Sequence, residues 1–203
     1  MKKYISSKSR PDFDVISNLV TSNSNVLDLG CGDGALIKHL KEKKNIFGYG
    51  VENDLSKIDH CLKNKISVIH KDIETGIQDF GNKSFDFVIL SLTLQSVKNT
   101  YNILNEMLRV GKIGIVTFPN FGFWKHRMQI ILGAMPVSVE MPYQWFNTPN
   151  IHLCTINDFE IFCYENEVQI EEKFIFGNDG KSIKHFSNFL GLRALYVLKK
   201  EIF

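Results

Sequence analysis

The chain has 203 residues, 44% of them hydrophobic and 23% charged, with a formal net charge of +2. That is enough for a single domain, residues 1–203, with a full core and the balance of an ordinary globule. Near-neutral charge gives no electrostatic case for nucleic acid or a membrane surface, and no apolar run reaches the length of a bilayer span.

Lys2 and Lys3 precede Tyr4-Ile5-Ser6-Ser7-Lys8, which lacks the apolar core of a signal peptide. Cys31, Cys61, Cys154 and Cys163 show no C-x-x-C spacing, so reduced thiols in a cytoplasmic protein are expected. His152 and Cys154 lie close together, but two soft ligands do not make a zinc site, and no metal is expected. The four arginines, Arg10, Arg109, Arg127 and Arg193, stand out because only guanidinium offers a bidentate fork; surface ion pairs are their ordinary use.

In chain order, Pro11 suits the first position of a helix, with Asp12 and Asp14 in its first turn and Phe13, Ile16 and Val20 on one face. Val26-Leu27-Asp28-Leu29 then reads as a buried strand running into Gly30-Cys31-Gly32-Asp33-Gly34, a turn whose glycines admit backbone angles closed to other residues. A helix carrying Leu36, Ile37 and Leu40 follows and closes on Lys41, Lys43 and Lys44, where cations favour the helix dipole. Ile46–Val51 is the second strand, ending in Glu52. Leu55, Ile58 and Leu62 mark the next helix, and Ile66–His70 the third strand.

Phe85–Leu90 is a near-continuous apolar run, which predicts a strand buried on both faces. Asn99 or Thr100 caps a helix holding Ile103, Leu104, Met107 and Leu108, stopped by Gly111. Ile113–Phe118 is the fifth strand. After an insertion at about 119–154, Thr155-Ile156-Asn157-Asp158 forms a capping box, and strands near Gln169–Phe176 and Arg193–Leu198 finish the chain. Strictly alternating strands and helices predict a parallel sheet with helices on both sides. Such sheets bind ligands beyond the carboxyl ends of their strands. The first four strand ends carry Asp28 to Asp33, Glu52-Asn53, Asp72 and Ser91.

Gly30, Gly32 and Ala35 also satisfy the dinucleotide fingerprint G-x-G-x-x-G/A. Asp28 separates the two readings by charge. A carboxylate there repels a pyrophosphate, whereas it forms a charge-assisted hydrogen bond with an α-ammonium group. S-adenosylmethionine offers that ammonium, a sulfonium and no phosphate. A plain loop-stabilising role for Asp28 is the simpler alternative.

The set Val26–Gly34, Glu52, Asp72-Ile73 and Ser84–Ile89 resembles the class I S-adenosylmethionine-dependent methyltransferases. Further segments narrow the resemblance to the MetW family: Ser9-Arg10-Pro11-Asp12, Thr93-Leu94-Gln95, Glu106–Gly111, Phe118-Pro119-Asn120-Phe121-Gly122, Met135-Pro136, Pro142-Tyr143-Gln144-Trp145 and Thr148–Thr155. The resemblance implies a Rossmann-like α/β fold, a mostly parallel seven-stranded sheet flanked by helices with its last strand antiparallel. It also implies S-adenosylmethionine as cofactor and S-adenosylhomocysteine as product. Asp28 and Gly30, Cys31, Gly32, Asp33 and Gly34 would hold the methionine end, with Ser91 and Leu92 beside it. Glu52 would accept the ribose hydroxyls. Asn53 would edge the adenine, with Asp72 and the Ile73 N–H meeting its amino group and a ring nitrogen.

Methyl transfer needs chiefly alignment and exclusion of water, so no catalytic residue need be visible, and none is identified. Ser91-Leu92-Thr93-Leu94-Gln95 lacks the Asn/Asp-Pro-Pro-Tyr motif of methylases acting on DNA-base or glutamine amino groups. The insertion is expected to cover the cofactor mouth. Its Trp124, Met128, Ile131 and Leu132 follow helical spacing, while Lys125, His126, Arg127 and Gln129 take other faces. With Met141, Tyr143, Trp145 and Phe146 they form either a satellite core or a partner surface or acceptor pocket. His126 and His152 are candidate bases, although lone histidines are commonly structural. The MetW resemblance implies a cytosolic protein of bacterial methionine biosynthesis, associated with homoserine O-acetyltransferase. It therefore leaves open a methyltransferase or a non-catalytic, cofactor-binding accessory subunit.

Overall fold

The structure is a computed structural model that describes residues 10–200. The signal-peptide reading of residues 2–8 and Ser9 of the Ser9–Asp12 motif lie outside the described residues. Seven strands hydrogen-bond in the order β3-β2-β1-β4-β5-β7-β6. The chain divides into two compact units, residues up to 91 with 99–115, and residues 92–98 with those from 116 onward.

The first unit begins with α1 (Pro11–Leu19), Pro11 standing at its start. Its strands are β1 (Asn25–Leu29), β2 (Phe47–Glu52), β3 (Ser67–His70) and β4 (Phe85–Ser91). β1 runs parallel to both β2 and β4, and β2 runs parallel to β3. Asp28 therefore lies opposite Gly50 and Ile89, and Glu52 opposite His70. Parallel register puts all four carboxyl ends on one edge. α2 (Ala35–Lys44) buries Leu36, Ile37 and Leu40 as its spacing predicts. The glycines of β2 let it pack closely: a Cβ at Gly48 would stand 2.7 Å from Ile37, and one at Gly50 2.3 Å from the Cys31 sulfur.

α3 (Leu55–Lys63) forms where expected but turns a different face inward. Leu55 and Leu62 are exposed, and Cys61 is its buried residue. Asp54 caps its first turn by accepting from the Ser56 N–H, and Cys61 packs with Cys31, Ile37 and Ile66. The small thiol fits under the glycine turn, where a leucine would not. Alternation holds between β3 and β4, but on a short helical link. That link carries only the four-residue α4 (Ile73–Gly76) and a single 3₁₀ turn, Ile77–Asp79. α5 (Thr100–Val110) has Asn99 as its cap, accepting from Asn102 N–H at 3.0 Å. Gly111 does not end it in a left-handed turn; it enters β5 (Gly111–Pro119) directly in extended geometry. Glycine is needed there because a Cβ would approach Val88 to 2.7 Å.

In the second unit the remaining elements are α6 (Trp124–Ile131), α7 (Ile156–Glu165), β6 (Gln169–Phe176), α8 (Ser187–Leu190) and β7 (Arg193–Lys199). The Thr155–Asp158 capping box opens α7, and β6 pairs antiparallel with β7. Phe118, Phe159 and Tyr196 form its aromatic core, the Tyr196 hydroxyl donating to Glu160 at 2.8 Å. Of the two readings of the insertion, the α6 residues do not support a satellite core. The buried residue of α6 is His126, whereas Trp124, Met128, Ile131 and Leu132 are exposed.

Candidate functional site

Asp28 sits at the carboxyl end of β1 and is 2% exposed. Its Oδ1 is buried and has no hydrogen-bond partner among the described residues. Burial pushes the carboxyl up to about 7; the nearby Arg10 guanidinium pulls against that rise, and Glu52 adds to it. A buried acceptor left unmet costs about 1–3 kcal/mol, a cost that a donor arriving from outside would relieve.

The turn that follows is built on left-handed glycines, Gly30, Gly32 and Gly34 at φ 71°, 60° and 77°. The Gly30 and Cys31 N–H groups donate to Val51 O at 2.8 and 3.1 Å, which pins the turn to the end of β2. The Gly32 N–H donates to Glu52 Oε2 at 2.9 Å. Asp33 is exposed and accepts from the Ala35 N–H at the start of α2. Open space surrounds the missing Cβ of Gly32. Beneath the turn, the Cys61 thiol donates to Gly32 O at 3.2 Å. Burial pushes both the Cys31 and Cys61 thiols up, away from ionisation, so they act as small packing groups.

Glu52 is buried at the end of β2, and its Oε1 takes the N–H groups of Asn53 and Asp54, each at 3.0 Å. With Gly32 on Oε2, three of its roughly four acceptor positions are filled. Lys57 approaches Oε2 at 3.9 Å. Asp72 is exposed and caps α4, its Oδ1 accepting from the Glu74 N–H, and Ile73 follows half-buried. Ser91 ends β4, and its Oγ accepts from Arg10 Nη2 at 2.7 Å. Asp28, the glycine turn, Glu52, Asp72 and Ser91 thus share one edge of four parallel strands. Leu92 belongs to the second unit, at φ 53°, an angle costing about 1 kcal/mol for a non-glycine residue. Its N–H is held by Thr117 O and Oγ1, each at 3.0 Å.

Two arginines escape their expected surface roles. Arg10 forks onto Asp12, a fully buried carboxylate, with Nε at 3.0 Å and Nη2 at 2.6 Å. Asp12 is therefore more than a helix-dipole ornament. Arg193 on β7 forms a buried ion pair with Glu140, which fastens the 133–140 loop within the second unit.

The same unit holds a network centred on Asn120, whose Nδ2 donates to Asn188 O and Gly191 O while its Oδ1 accepts from Gly122 and Ile156. Asn120 O can only accept, so the His126 Nδ1 at 3.1 Å carries the proton. The His126 Nε2 is then a buried lone pair with no partner among the described residues, and burial lowers its basicity. His152 is exposed, near Lys98 O.

The family model described as "Methionine biosynthesis protein MetW" matches residues 10–198. The chain belongs to the MetW family. A relative in Rhodopirellula baltica, a bifunctional methionine biosynthesis protein MetXA/MetW, is 34% identical over 178 residues, covering 83% of this chain and 29% of that protein. A carboxy-S-adenosyl-L-methionine synthase of Haemophilus ducreyi is 35% identical over 92 residues, covering 41% of this chain and 37% of its own length. The chain thus spans about a third of the length of these relatives. Among solved structures, a SAM-dependent methyltransferase from Archaeoglobus fulgidus superimposes with a TM-score of 0.66 at 13% identity, over 93% of this chain and 94% of its own. At that identity the likeness establishes the fold, the Rossmann-like α/β architecture of class I methyltransferases.

In this MetW-family chain the residues singled out in the sequence, Asp28, the glycine turn, Glu52, Asp72 and Ser91, stand along one edge of the parallel strands. They did not reveal Arg10 as a neighbour of Asp28. The available signal was the Arg10-Pro11-Asp12 segment already shared with the family.

Proposed function

We propose that this MetW-family chain binds S-adenosylmethionine along the acidic edge of β1–β4 and transfers its methyl group within methionine biosynthesis. The observation that carries the reading is the buried Oδ1 of Asp28, with no partner among the described residues, beside a glycine turn. It suits an ammonium donor and repels a phosphate. In this reading Gly30, Cys31, Gly32, Asp33 and Gly34 enclose the amino-acid end with Ser91 and Leu92. Glu52 takes the ribose through Oε2, and Asn53, Asp72 and Ile73 border the adenine. The bound cofactor supplies a sulfonium-activated methyl group; the protein's own work is alignment and exclusion of water.

Calorimetry with S-adenosylmethionine, S-adenosylhomocysteine and NAD tests the site. Binding of the first two but not NAD is expected, with Asp28→Asn weakening it at least tenfold. Tight NAD binding, or an unchanged affinity in Asp28→Asn, would overturn the assignment.

The Rhodopirellula baltica relative favours a second reading. There a MetW segment and a MetXA segment share one polypeptide, which supports homoserine O-acetyltransferase as a partner of this chain. Its contact surface on this chain would be the 119–154 insertion, and the bound cofactor would tune the association by linkage. An acetyltransferase assay with and without this chain and S-adenosylmethionine separates the two readings. Stimulation without S-adenosylhomocysteine formation supports the accessory subunit; stoichiometric S-adenosylhomocysteine and a methylated acceptor support the enzyme.

A further inference from the structure

α3 carries the apolar spacing of a buried helix in Leu55, Ile58 and Leu62, yet turns most of it to solvent. Leu55 is 65% exposed and Leu62 59%, while Ile58 is half-buried. At 100° per residue the three side chains fall within about 60° of one another, so they form one narrow stripe.

The helix is short of support. It has nine residues, and Cys61 is the one fully buried among them. Isolated helices need about 12–15 residues to hold in water, and shorter ones draw their stability from packing an apolar face. α3 lends only the Cys61 side chain to the cluster of Cys31, Ile37 and Ile66. Asp54 caps its first turn, accepting from the Ser56 N–H at 2.9 Å and the Ser56 hydroxyl at 2.7 Å. The leucine stripe is thus the packing face that the described residues leave uncovered.

The charges beside the stripe define what fits it. Asp59 and Lys63 are both exposed and stand four residues apart on the same flank. One charge of each sign favours no strongly acidic or basic surface, but it is complementary to itself. Two copies of α3 packed antiparallel, stripe on stripe, bring like flanks together in reversed order. Asp59 of each copy then faces Lys63 of the other, and leucine meets leucine in the seam.

We propose that α3 is a self-association surface, through which two copies of this chain pair antiparallel on Leu55, Ile58 and Leu62 with Asp59–Lys63 ion pairs across the seam. The seam is small beside the roughly 800 Å² per partner of a stable complex, so the pair is reversible and concentration-dependent. Pairing also steadies the start of α3, where the Asn53 and Asp54 N–H groups hold Glu52 Oε1. The inference is independent of the cofactor reading.

Sedimentation equilibrium of the full chain from about 1 μM to about 1 mM, the range of weak to moderate affinities, tests it. The weight-average mass should climb from one chain toward two. Leu55→Glu/Leu62→Glu should weaken pairing at least tenfold while the cooperative melt is kept, because both positions are exposed. Lys63→Glu, which sets like charges across the seam, should weaken it about three- to tenfold. Asp59→Lys/Lys63→Asp reverses both charges and should restore wild-type pairing. Should the leucine variant fail to fold, Lys63→Glu and the reversal decide alone. A chain that stays monomeric throughout overturns the proposal. So does pairing that survives Leu55→Glu/Leu62→Glu, or a reversal variant that pairs no better than Lys63→Glu.

Discussion

Asp28 combines a cost to folding with a use in binding. Its folded-state value, about 7, lies above the ordinary aspartate value of 3.8 because burial disfavours the charge. The folded protein therefore holds this proton more tightly than the unfolded chain does. The associated stability is complete below pH 4 and is lost as pH rises through 7. Three pKa units set a ceiling of about 4 kcal/mol on that loss. Asp28→Asn cannot ionise, so its melting temperature should exceed the wild-type value by several degrees at pH 8, and the difference should shrink toward pH 5. Differential scanning calorimetry at the two pH values checks this. Cofactor affinity should run the opposite way in the wild type. If only ionised Asp28 accepts the ammonium, apparent affinity falls about tenfold between pH 8 and pH 6, and a flat calorimetric titration series would disprove that link.

At the level of elements, the glycines around the site divide by what their missing Cβ would meet. Gly50 of β2 faces the Cys31 sulfur at 2.3 Å, so Gly50→Ala must displace the turn itself. Overpacking of this kind costs about 1–3 kcal/mol, or roughly 2–12 °C in a chain of this size. Gly32 has φ +60° and empty surroundings, so Gly32→Ala costs about 1 kcal/mol of backbone strain. Gly50→Ala should therefore melt well below Gly32→Ala. Gly32→Ala should still lose cofactor affinity more than tenfold by calorimetry, because its methyl enters the space offered to the ligand.

This division also shows what the sequence could and could not disclose. Strand positions, the glycine turn and the strand-end acids were legible because short apolar runs and φ-permissive residues leave local signatures. The Asn99 cap and the Thr155 capping box were legible for the same reason. The buried face of α3 was not, since Cys61 is chosen by the cramped space under Gly34, a tertiary fact. Arg10 was misread for a similar reason. Its partners Asp12 and Ser91 are 2 and 81 residues away, and only the folded β1–β4 pairing brings the second of them to Asp28. Glu52 was identified, but three main-chain donors on its carboxylate could not be foreseen from spacing.

For the molecule as a whole, the charge balance and the exposed apolar residues pull in different directions. A net charge of +2 steers no strongly charged partner. β6 keeps Glu171, Glu172 and Lys173 exposed, which guards that strand against pairing with other chains. The 124–153 region has no such protection. Ile131 is 74% exposed, Leu132 78%, Trp145 73% and Phe146 69%. Large apolar side chains gathered in one segment are the composition of a protein interface, where aromatic anchors carry most of the binding energy. Under the accessory-subunit proposal, which the fused MetXA/MetW relative supports, that segment is the surface offered to the acetyltransferase, without long-range charge steering. Trp145→Ser/Phe146→Ser should therefore weaken capture of homoserine O-acetyltransferase at least tenfold in a biolayer or pull-down titration. Cofactor affinity should stay within about twofold, since neither ring belongs to the β1–β4 edge. Loss of both together would mean that the insertion serves the cofactor site, and retention of full acetyltransferase binding would move the contact elsewhere on the chain.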